Sequence, residues 1–367
     1  MQPLTSLSID LNALRHNLSE VKRCAPHSHI LAMLKADAYG HGLLVCANAL
    51  DQADGFGVAR MEEAIQLRNH LQDQGIDKKI VLLNAVLNHE TINYCAEHNI
   101  DLVIYDEAGV SALNSVALQK PLNIWLKIDT GMHRLGLQPD TIFQHYQPLK
   151  ALPYIASITV MTHFSDSELI EKQITDEQLN VFKNACRNID VMCSLANSAA
   201  IIQSPETHAD WVRPGIMLYG ANPVFHKTTS NVSLRSVMSL HSQILSIRSI
   251  AAGESIGYNG LWTASRNSRI ATVAIGYGDG YPRHAKNGTP VLINGERFPL
   301  VGRVSMDLIS VDITDAKNIQ LGDEVTLWGY DKEGNELSAN EVATYANTVS
   351  YHLFTGITAR VKRSFKN

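Results

Sequence analysis

The chain has no stretch of about 18 uninterrupted apolar residues, the length a membrane-spanning helix needs, and residues 1–12 show no basic region followed by an apolar one. Neither a transmembrane span nor a secretory leader is expected, so the chain is assigned to the cytoplasm. Cysteine is scarce. The five, at positions 24, 46, 95, 186 and 193, are odd in number, widely spaced and free of any C-x-x-C, which argues against a disulfide framework or a thiolate metal site. The 15 histidines include no H-E-x-x-H, and His89-Glu90 lacks a second histidine four residues on, so no metal is expected. Positive charge is also lacking: a net charge of -5 with no basic stripe offers nothing to neutralise a phosphate backbone, and nucleic acid is set aside as a partner in favour of a small molecule. Linkers, internal repeats and low-complexity segments are absent.

What remains is a chain of ordinary globular composition, 45% hydrophobic and 18% charged, whose 367 residues exceed what a single core holds and so suggest two domains. Up to about residue 230, short apolar runs alternate with amphipathic segments, the pattern of parallel strands joined by crossover helices. Eight runs stand out: Ile30–Lys35, Gly55–Ala59, Ile80–Leu83, Leu102–Tyr105, Ile124–Ile128, Ile158–Thr162, Val191–Leu195 and Trp211–Tyr219. Helix-like stretches such as Met61–His70, Ala108–Leu118 and Glu177–Cys186 lie between them. The count matches an α/β fold of the (β/α)₈ TIM-barrel type, with an open doubly wound sheet as the competing arrangement. Beyond residue 230 the runs Val237–Ile250, Ile270–Ile275, Val291–Ile293, Leu308–Ile313 and Glu324–Leu327, punctuated by Gly-rich turns, describe a mainly-β domain. A late helix is expected over Ala339–Ala346, capped by Ser338 or Asn340. The expected domains are therefore 1–230 and 231–367, with residues 1–10 able to add a strand to the second.

A barrel of this kind gathers its active site at the C-terminal ends of its strands, so polar residues closing the apolar runs carry the interest. The first run ends in Lys35, a position where an ammonium must be desolvated or neutralised. It reads either as a structural ion pair with Asp37 or as a lysine whose lowered pKa lets it attack a carbonyl and form a Schiff base. The fifth run brings Lys127, Asp129 and Arg134 to a strand end and its loop, the sixth ends in Thr162-His163, and the eighth sets Arg213 just before Pro214-Gly215. Each alone is readily a satisfied structural group; together they describe a cationic, partly buried pocket suited to an anionic cofactor. The β domain offers Arg303, Met306 and Asp307 in one segment, and Tyr258 in a Gly-flanked turn where packing is the simpler role. Gly276-Tyr277-Gly278-Asp279-Gly280 follows a strand like a dinucleotide fingerprint, but its last glycine comes one residue early and Pro282 stands where a helix should open, so it reads as a tight loop.

These segments resemble the alanine racemases over nearly the whole chain. The specific elements are A-x-x-K-A-D-A-Y-G-H-G around Lys35, K-x-D-T-G-M-x-R-L-G around Lys127 and V-R-P-G-I-x-L-Y-G around Arg213. The β domain adds G-Y-N-G-x-W around Tyr258, G-Y-x-D-G-Y-x-R around Tyr277 and V-G-R-V-x-M-D around Met306. The resemblance implies pyridoxal 5'-phosphate (PLP) as cofactor, a head-to-tail homodimer with shared active sites, and interconversion of L- and D-alanine through a Schiff base of the substrate by a two-base mechanism. The D-alanine so formed would supply peptidoglycan precursors, or the enzyme would act in alanine catabolism. Carried over residue by residue, Lys35 would bind the cofactor and serve as one base, with Tyr258 of the partner subunit as the other. Tyr39, Ser198, Tyr351 and the backbone of Gly215 and Ile216 would hold the phosphate, with Asn197 beside them. Arg213 would donate to the pyridine nitrogen, and His163 would help set the protonation network. Arg134 would contact both the cofactor phenolate and the substrate carboxylate. Lys127 matches a position carbamylated in many members, Met306 and Asp307 match substrate-pocket residues of the second subunit, and Tyr277, Arg283, Arg303 and Tyr351 match residues lining the entrance.

One position departs from part of the family: some relatives carry a His three residues before the Asn-Ser pair, where this chain has Ser194. Barrel-type PLP decarboxylases share the architecture but use an acidic residue on the pyridine nitrogen and a cysteine in the β domain, where this chain has Arg213 and Tyr258. The alternatives kept are a racemase of serine or lysine and a non-catalytic PLP-binding protein, although the latter lacks a β domain.

Overall fold

The computed structural model describes residues 3–169, 171–224 and 232–367. After strand β1 (Ser6–Asp10) come β2 (His29–Met33), β3 (Gly55–Val58), β4 (Lys79–Leu82), β5 (Asp101–Ile104), β6 (Leu122–Lys127), β7 (Ile155–Met161), β8 (Met192–Asn197) and β9 (Trp211–Arg213). Strands β2 to β9 are parallel and close into a barrel through the pairing of β9 with β2, which excludes the open doubly wound sheet. Every residue of β3 and β5 is buried, as both faces of a barrel strand are covered, one by interior side chains and one by helices. That double cover is why these runs read as unbroken apolar stretches.

The outer helices follow their sequence signals with small shifts at the ends. Met61–Asp73 buries Ala64, Leu67 and Leu71 along one stripe, and Glu107–Ser115 is started by Asp106, whose Oδ1 accepts from the Gly109 N–H at 2.8 Å. Two apolar runs end earlier than their composition suggests. β2 stops at Met33, leaving Lys35 beyond the strand. The eighth run is a strand only to Arg213, because Pro214 offers no N–H to the ladder and Gly215, at φ -119° and ψ -95°, turns the chain into a 3₁₀ turn over Ile216–Tyr219.

The second half contributes β10 (Met238–Ile250), β11 (Ser255–Ile256), β12 (Trp262–Thr263), β13 (Ser268–Val273), β14 (Pro290–Ile293), β15 (Glu296–Val301), β16 (Ile309–Asp312), β17 (Glu324–Tyr330), β18 (Glu336–Leu337) and β19 (Lys362–Lys366). Antiparallel pairings run in a ring, β10 to β13, β16, β15, β14, β17 and back to β10. On β10 the ring is extended by β1, antiparallel, and then by β19, parallel to β1, so the first strand of the chain joins the β architecture before the barrel begins. β15 and β19 gave no apolar signal: Glu296, Arg297 and Pro299 are exposed on β15, and β19 is mostly exposed and, among the described residues, pairs only with β1. The segment Gly276–Gly280 is a tight 3₁₀ loop ended by Gly280 at φ 101°. The expected domain boundary at 230/231 lies outside the described residues.

At the N-terminal end of the barrel, opposite the face of interest, Asp101 is buried and accepts from Lys79 Nζ (2.6 Å), Asn123 Nδ2 (3.0 Å) and Trp125 Nε1 (3.0 Å). These donors tie β4, β5 and β6 together at the floor, a location that serves stability rather than chemistry. Asp101→Ala would strand three donors in an apolar setting and is expected to cost about 3 kcal/mol in urea unfolding while leaving the ligand site unchanged. A variant within 0.5 kcal/mol (about the scatter of surface substitutions) would remove the floor network from the account of stability.

Candidate active site

Beyond β2 the chain makes an unusual move. Ala36, Asp37, Ala38 and Tyr39 all occupy the left-handed helical region, with φ of 55°, 53°, 53° and 54°. For residues with a Cβ this conformation costs roughly 1–2 kcal/mol each, and a run of four is the kind of stored strain found where a site must be held in one shape. Gly40 continues the positive-φ path at 80°, and a Cβ there would fall 2.3 Å from the Phe354 carbonyl oxygen. Asp37 is not paired with Lys35: its Oδ1 accepts from the Leu43 N–H at 2.8 Å and its Oδ2 from Arg363 Nη1 at 3.0 Å.

The turn delivers Lys35 and Tyr39 to a cavity of about 520 Å³ at the C-terminal ends of the barrel strands. Lys127, Arg134, His163, Asn197, Ser198, Arg213, Gly215, Ile216 and Tyr351 line the same space, so eleven of the residues singled out in the sequence meet there. Four of these are cations, Lys35, Lys127, Arg134 and Arg213, and the acid among the lining residues is Glu168. Burial, followed by the charges of Arg134 and Arg213, pushes the Lys35 ammonium below its ordinary range. Burial, then Arg213 and Arg134, brings Lys127 down to about 8, outweighing the attraction of Asp129.

Arg213 is 4% exposed, and its hydrogen-bond partners are neutral. Nη1 donates to Ser194 Oγ at 2.8 Å, while Nη2 reaches the carbonyls of Thr162 and Leu195 and lies 3.5 Å from His163 Nδ1. Desolvation lowers even its guanidinium, to about 10. Burial and the neighbouring Arg213 push His163 well below the ordinary imidazole range, so its ring is neutral and its Nδ1 faces the arginine as an acceptor. Ser194, standing where some relatives have His, thus supplies the guanidinium with a short hydroxyl acceptor.

At the other end of the cavity Ser198 Oγ accepts from the N–H groups of Gly215 (2.8 Å) and Met217 (3.4 Å), which leaves its own proton for an anionic oxygen. The Tyr39 hydroxyl lies so close to Gly215 that a Cβ there would stand 2.4 Å from it, and only glycine leaves the space open. The rings of Tyr39 and Tyr351 are 5.8 Å apart. Lysine at one point, a guanidinium at a second and a cluster of hydroxyls around an open glycine at a third form a donor set that fits PLP by chemistry: an aldehyde, a ring nitrogen and a phosphate.

Apart from Tyr351 and the cap candidate Asn340, the β-domain residues singled out in the sequence do not line this cavity. Tyr258 is 67% exposed, Met306 54% and Tyr277 38%. Their loops are knitted together: the Tyr277 N–H donates to the Ser305 carbonyl at 3.0 Å, the Gly278 N–H to the Met306 carbonyl at 2.8 Å, and the backbone of Arg303 abuts Gly257. Arg283 lies 5.9 Å from the Tyr277 ring, and Asp307 Oδ1 accepts from Arg360 at 2.7 Å. Sequence reasoning passed over Asn84, Met132, Glu168, Asn222 and Asn340, which also line the cavity. Asn340 had only a capping signal, yet Ser338 is the cap and Asn340 Nδ2 donates to the Asn222 carbonyl at 2.7 Å, drawing a β-domain helix to the barrel.

Fold and site define a class: a closed parallel barrel joined to a β domain, with a desolvated lysine in a cationic cavity at the strand C-termini. Residues 9–223 match the model of the alanine racemase N-terminal domain and residues 237–365 that of the alanine racemase C-terminal domain. The alanine racemase of Shewanella woodyi is 44% identical over 98% of this chain and 99% of its own length. The solved biosynthetic alanine racemase from Pseudomonas aeruginosa superposes with a TM-score of 0.94 at 40% identity, covering 100% of both chains. That of Bartonella henselae, solved with covalently bound pyridoxal phosphate, gives 0.88 at 30% identity, again over 100% of both. The chain belongs to the alanine racemase family.

The lowered pKa of Lys127 makes stability depend on pH. Its folded value, about 8, lies below the ordinary 10.5, so between these pH values the unfolded chain binds more protons than the native one and stability rises with pH; below about 8 both states hold the proton and the penalty is complete. Urea midpoints of cofactor-free protein are expected to rise from pH 8 to 9.5, and Lys127→Met to reduce that rise. Parallel profiles for the two proteins would contradict the burial of a charged Lys127.

Proposed function

We propose that this protein interconverts L- and D-alanine with PLP held in the cavity. The carrying observation is the convergence of Lys35, Arg213 and the Tyr39–Ser198–Gly215 cradle on one space, in a chain belonging throughout its length to the alanine racemase family. When bound, PLP withdraws electrons from the α-carbon and so acidifies its hydrogen.

Lys35 holds the cofactor through Nζ. Burial and the neighbouring Arg134 and Arg213 lower its pKa, which favours the unprotonated amine that both attachment and proton removal require. Tyr39, Ser198, Tyr351 and the backbone of Gly215 and Ile216 would hold the phosphate, with Asn197 at its side. Arg213 donates to the pyridine nitrogen. A guanidinium does not surrender its proton, so Arg213 would leave that nitrogen neutral and make the bound group a weaker electron sink, which favours return of the proton over transamination. Neutral His163, next to Arg213, completes the network without adding charge. Arg134 binds the substrate carboxylate and the cofactor phenolate. Neutral Lys127 is the form that adds carbon dioxide, releasing one proton to leave a carbamate, and the anion so made would hold Arg134 in place.

Racemisation requires acid/base groups on both faces of the α-carbon. We assign Lys35 to one and Tyr258 of the partner subunit to the other, in a head-to-tail homodimer. The exposure of Tyr258, Met306 and Tyr277 away from their own cavity supports this reading, as does the clustering of their loops. Met306 and Asp307 then complete the substrate pocket of the other copy, and Tyr277, Arg283 and Arg303 line its entrance together with Tyr351.

Purified protein incubated with PLP and L-alanine in deuterium oxide is expected to lose optical rotation toward zero and to carry deuterium at the α-carbon. A protein that binds PLP but leaves alanine unchanged would shift the assignment to a racemase of serine or lysine or to a non-catalytic PLP-binding protein. Lys35→Ala is expected to lose the visible absorbance of lysine-bound cofactor together with activity. Tyr258→Phe should keep that absorbance and lose racemisation in both directions, because the group that takes the proton from L-alanine in one direction returns it in the other; undiminished rates would end the two-base assignment. Co-expression of the two inactive variants should restore about one quarter of the wild-type rate, because half of the dimers are mixed and each mixed dimer has one intact site.

A further inference from the structure

The left-handed turn that carries Lys35 and Tyr39 is gripped at both ends by side chains that do not line the cavity. At its start, Glu63 Oε1 accepts from the N–H groups of Ala36 (2.6 Å) and Asp37 (3.3 Å). The other oxygen of the same carboxylate accepts from Ala59 (2.9 Å) and Arg60 (3.1 Å), so one side chain ties the turn to the end of the adjacent strand β3. At its finish, His41 Nδ1 lies 2.9 Å from the Tyr39 carbonyl and 3.1 Å from that of Ala38. Carbonyls only accept, so Nδ1 carries the hydrogen and donates to both. Full burial keeps this imidazole neutral, with its pKa down near 3, and its Nε2 has no hydrogen-bond partner among the described residues. The histidine is therefore set up for one task on its Nδ1 side. Its ring is wedged between Tyr219, 4.5 Å away, and Phe354, 5.1 Å away, and the Tyr219 hydroxyl donates to the Met33 carbonyl at the end of β2.

We propose that Glu63 and His41 are positioning residues for the reaction, a clamp that keeps Ala36–Tyr39 left-handed so that Lys35 and Tyr39 reach the cofactor together. A left-handed stretch of four such residues does not persist by itself. Its first two N–H groups and last two C=O groups are where outside partners can hold it, and these are the groups the two side chains engage. Released, the turn relaxes toward right-handed values, which swings Tyr39 off Gly215 and separates the lysine from the phosphate cradle. The inference rests on the reading that Lys35 carries PLP.

The test compares Glu63→Gln, His41→Phe and His41→Asn by PLP titration of the cofactor-free protein, borohydride fixation at Lys35 counted by mass spectrometry, and kcat and KM for alanine. Glu63→Gln keeps the size but turns an N–H₂ toward one pair of N–H donors. His41→Phe keeps the ring and its stacking but removes the donor, whereas His41→Asn places an amide N–H near the Nδ1 position and gives up the ring. Glu63→Gln and His41→Phe are expected to weaken PLP binding at least about tenfold (about 1.4 kcal/mol), with less fixation at Lys35 and kcat falling more than KM changes, while His41→Asn stays within about threefold of wild type. Glu63 is only half-buried, so Glu63→Gln carries the test if His41→Phe fails to fold. Wild-type PLP affinity and kcat in folded Glu63→Gln would overturn the clamp, and so would a folded His41→Phe at wild-type affinity beside an impaired His41→Asn, since packing of the ring would then be the whole role. Lys35→Ala in the same titration separates this outcome from failure of the site assignment: if it fixes as much PLP as the wild type, the lysine reading falls and not the clamp.

Discussion

Burying positive charge without a matching carboxylate is costly, and the cavity at the top of the barrel buries several charges at once. Arg213 reaches neutral acceptors, Lys127 lies among Arg213, Arg134 and Lys35, and the response of the site is to lower the proton affinity of both lysines. That response is useful. A lowered proton affinity makes a lysine a better nucleophile and base, and an arginine keeps its charge while it donates. An anionic ligand would relieve the repulsion, so the same surplus of charge that perturbs the lysines suits the cavity to a phosphate-bearing group.

Such a site needs a frame that does not yield. The barrel supplies it from below, where Asp101 gathers donors from β4 and β6 and keeps the strand ends in register. The β domain supplies it from the side. Arg363 on β19 holds Asp37 of the left-handed turn, the Phe354 carbonyl sits where a Cβ of residue 40 would go, and Asn340 reaches the backbone at Asn222. β1 links the two halves, since it pairs with β10 and β19 and runs directly into the helix Leu11–Cys24 that packs on the barrel. Chain segments far apart in sequence therefore converge on the short stretch that carries Lys35.

Much of this was legible in the residues themselves. Strands β2 to β9 are apolar runs because both their faces are covered, and polar residues stand out at their ends, which is how Lys35, Lys127, His163 and Arg213 could be found by pattern and position. β15 and β19 were not legible: an exposed Pro299 and charged neighbours hide the first, and the second is an exposed edge. The resemblance brought in Tyr39, Ser198 and Tyr258, whose surroundings in sequence distinguish them little from packing residues.

The class of fold, the charge of the site and the family to which the chain belongs are legible from hydrophobic periodicity and short motifs, because these are local properties. That Lys35 lies past its strand on a left-handed turn is settled by long-range contacts, since four residues with ordinary side chains carry no signal for that conformation and exchange hydrogen bonds with side chains at positions 63 and 41. Long-range contacts likewise settle that Asp37 answers Arg363 rather than Lys35, and that Tyr258 is exposed and does not line its own cavity. Such outcomes depend on which distant groups meet, and a linear pattern does not record the distance between them.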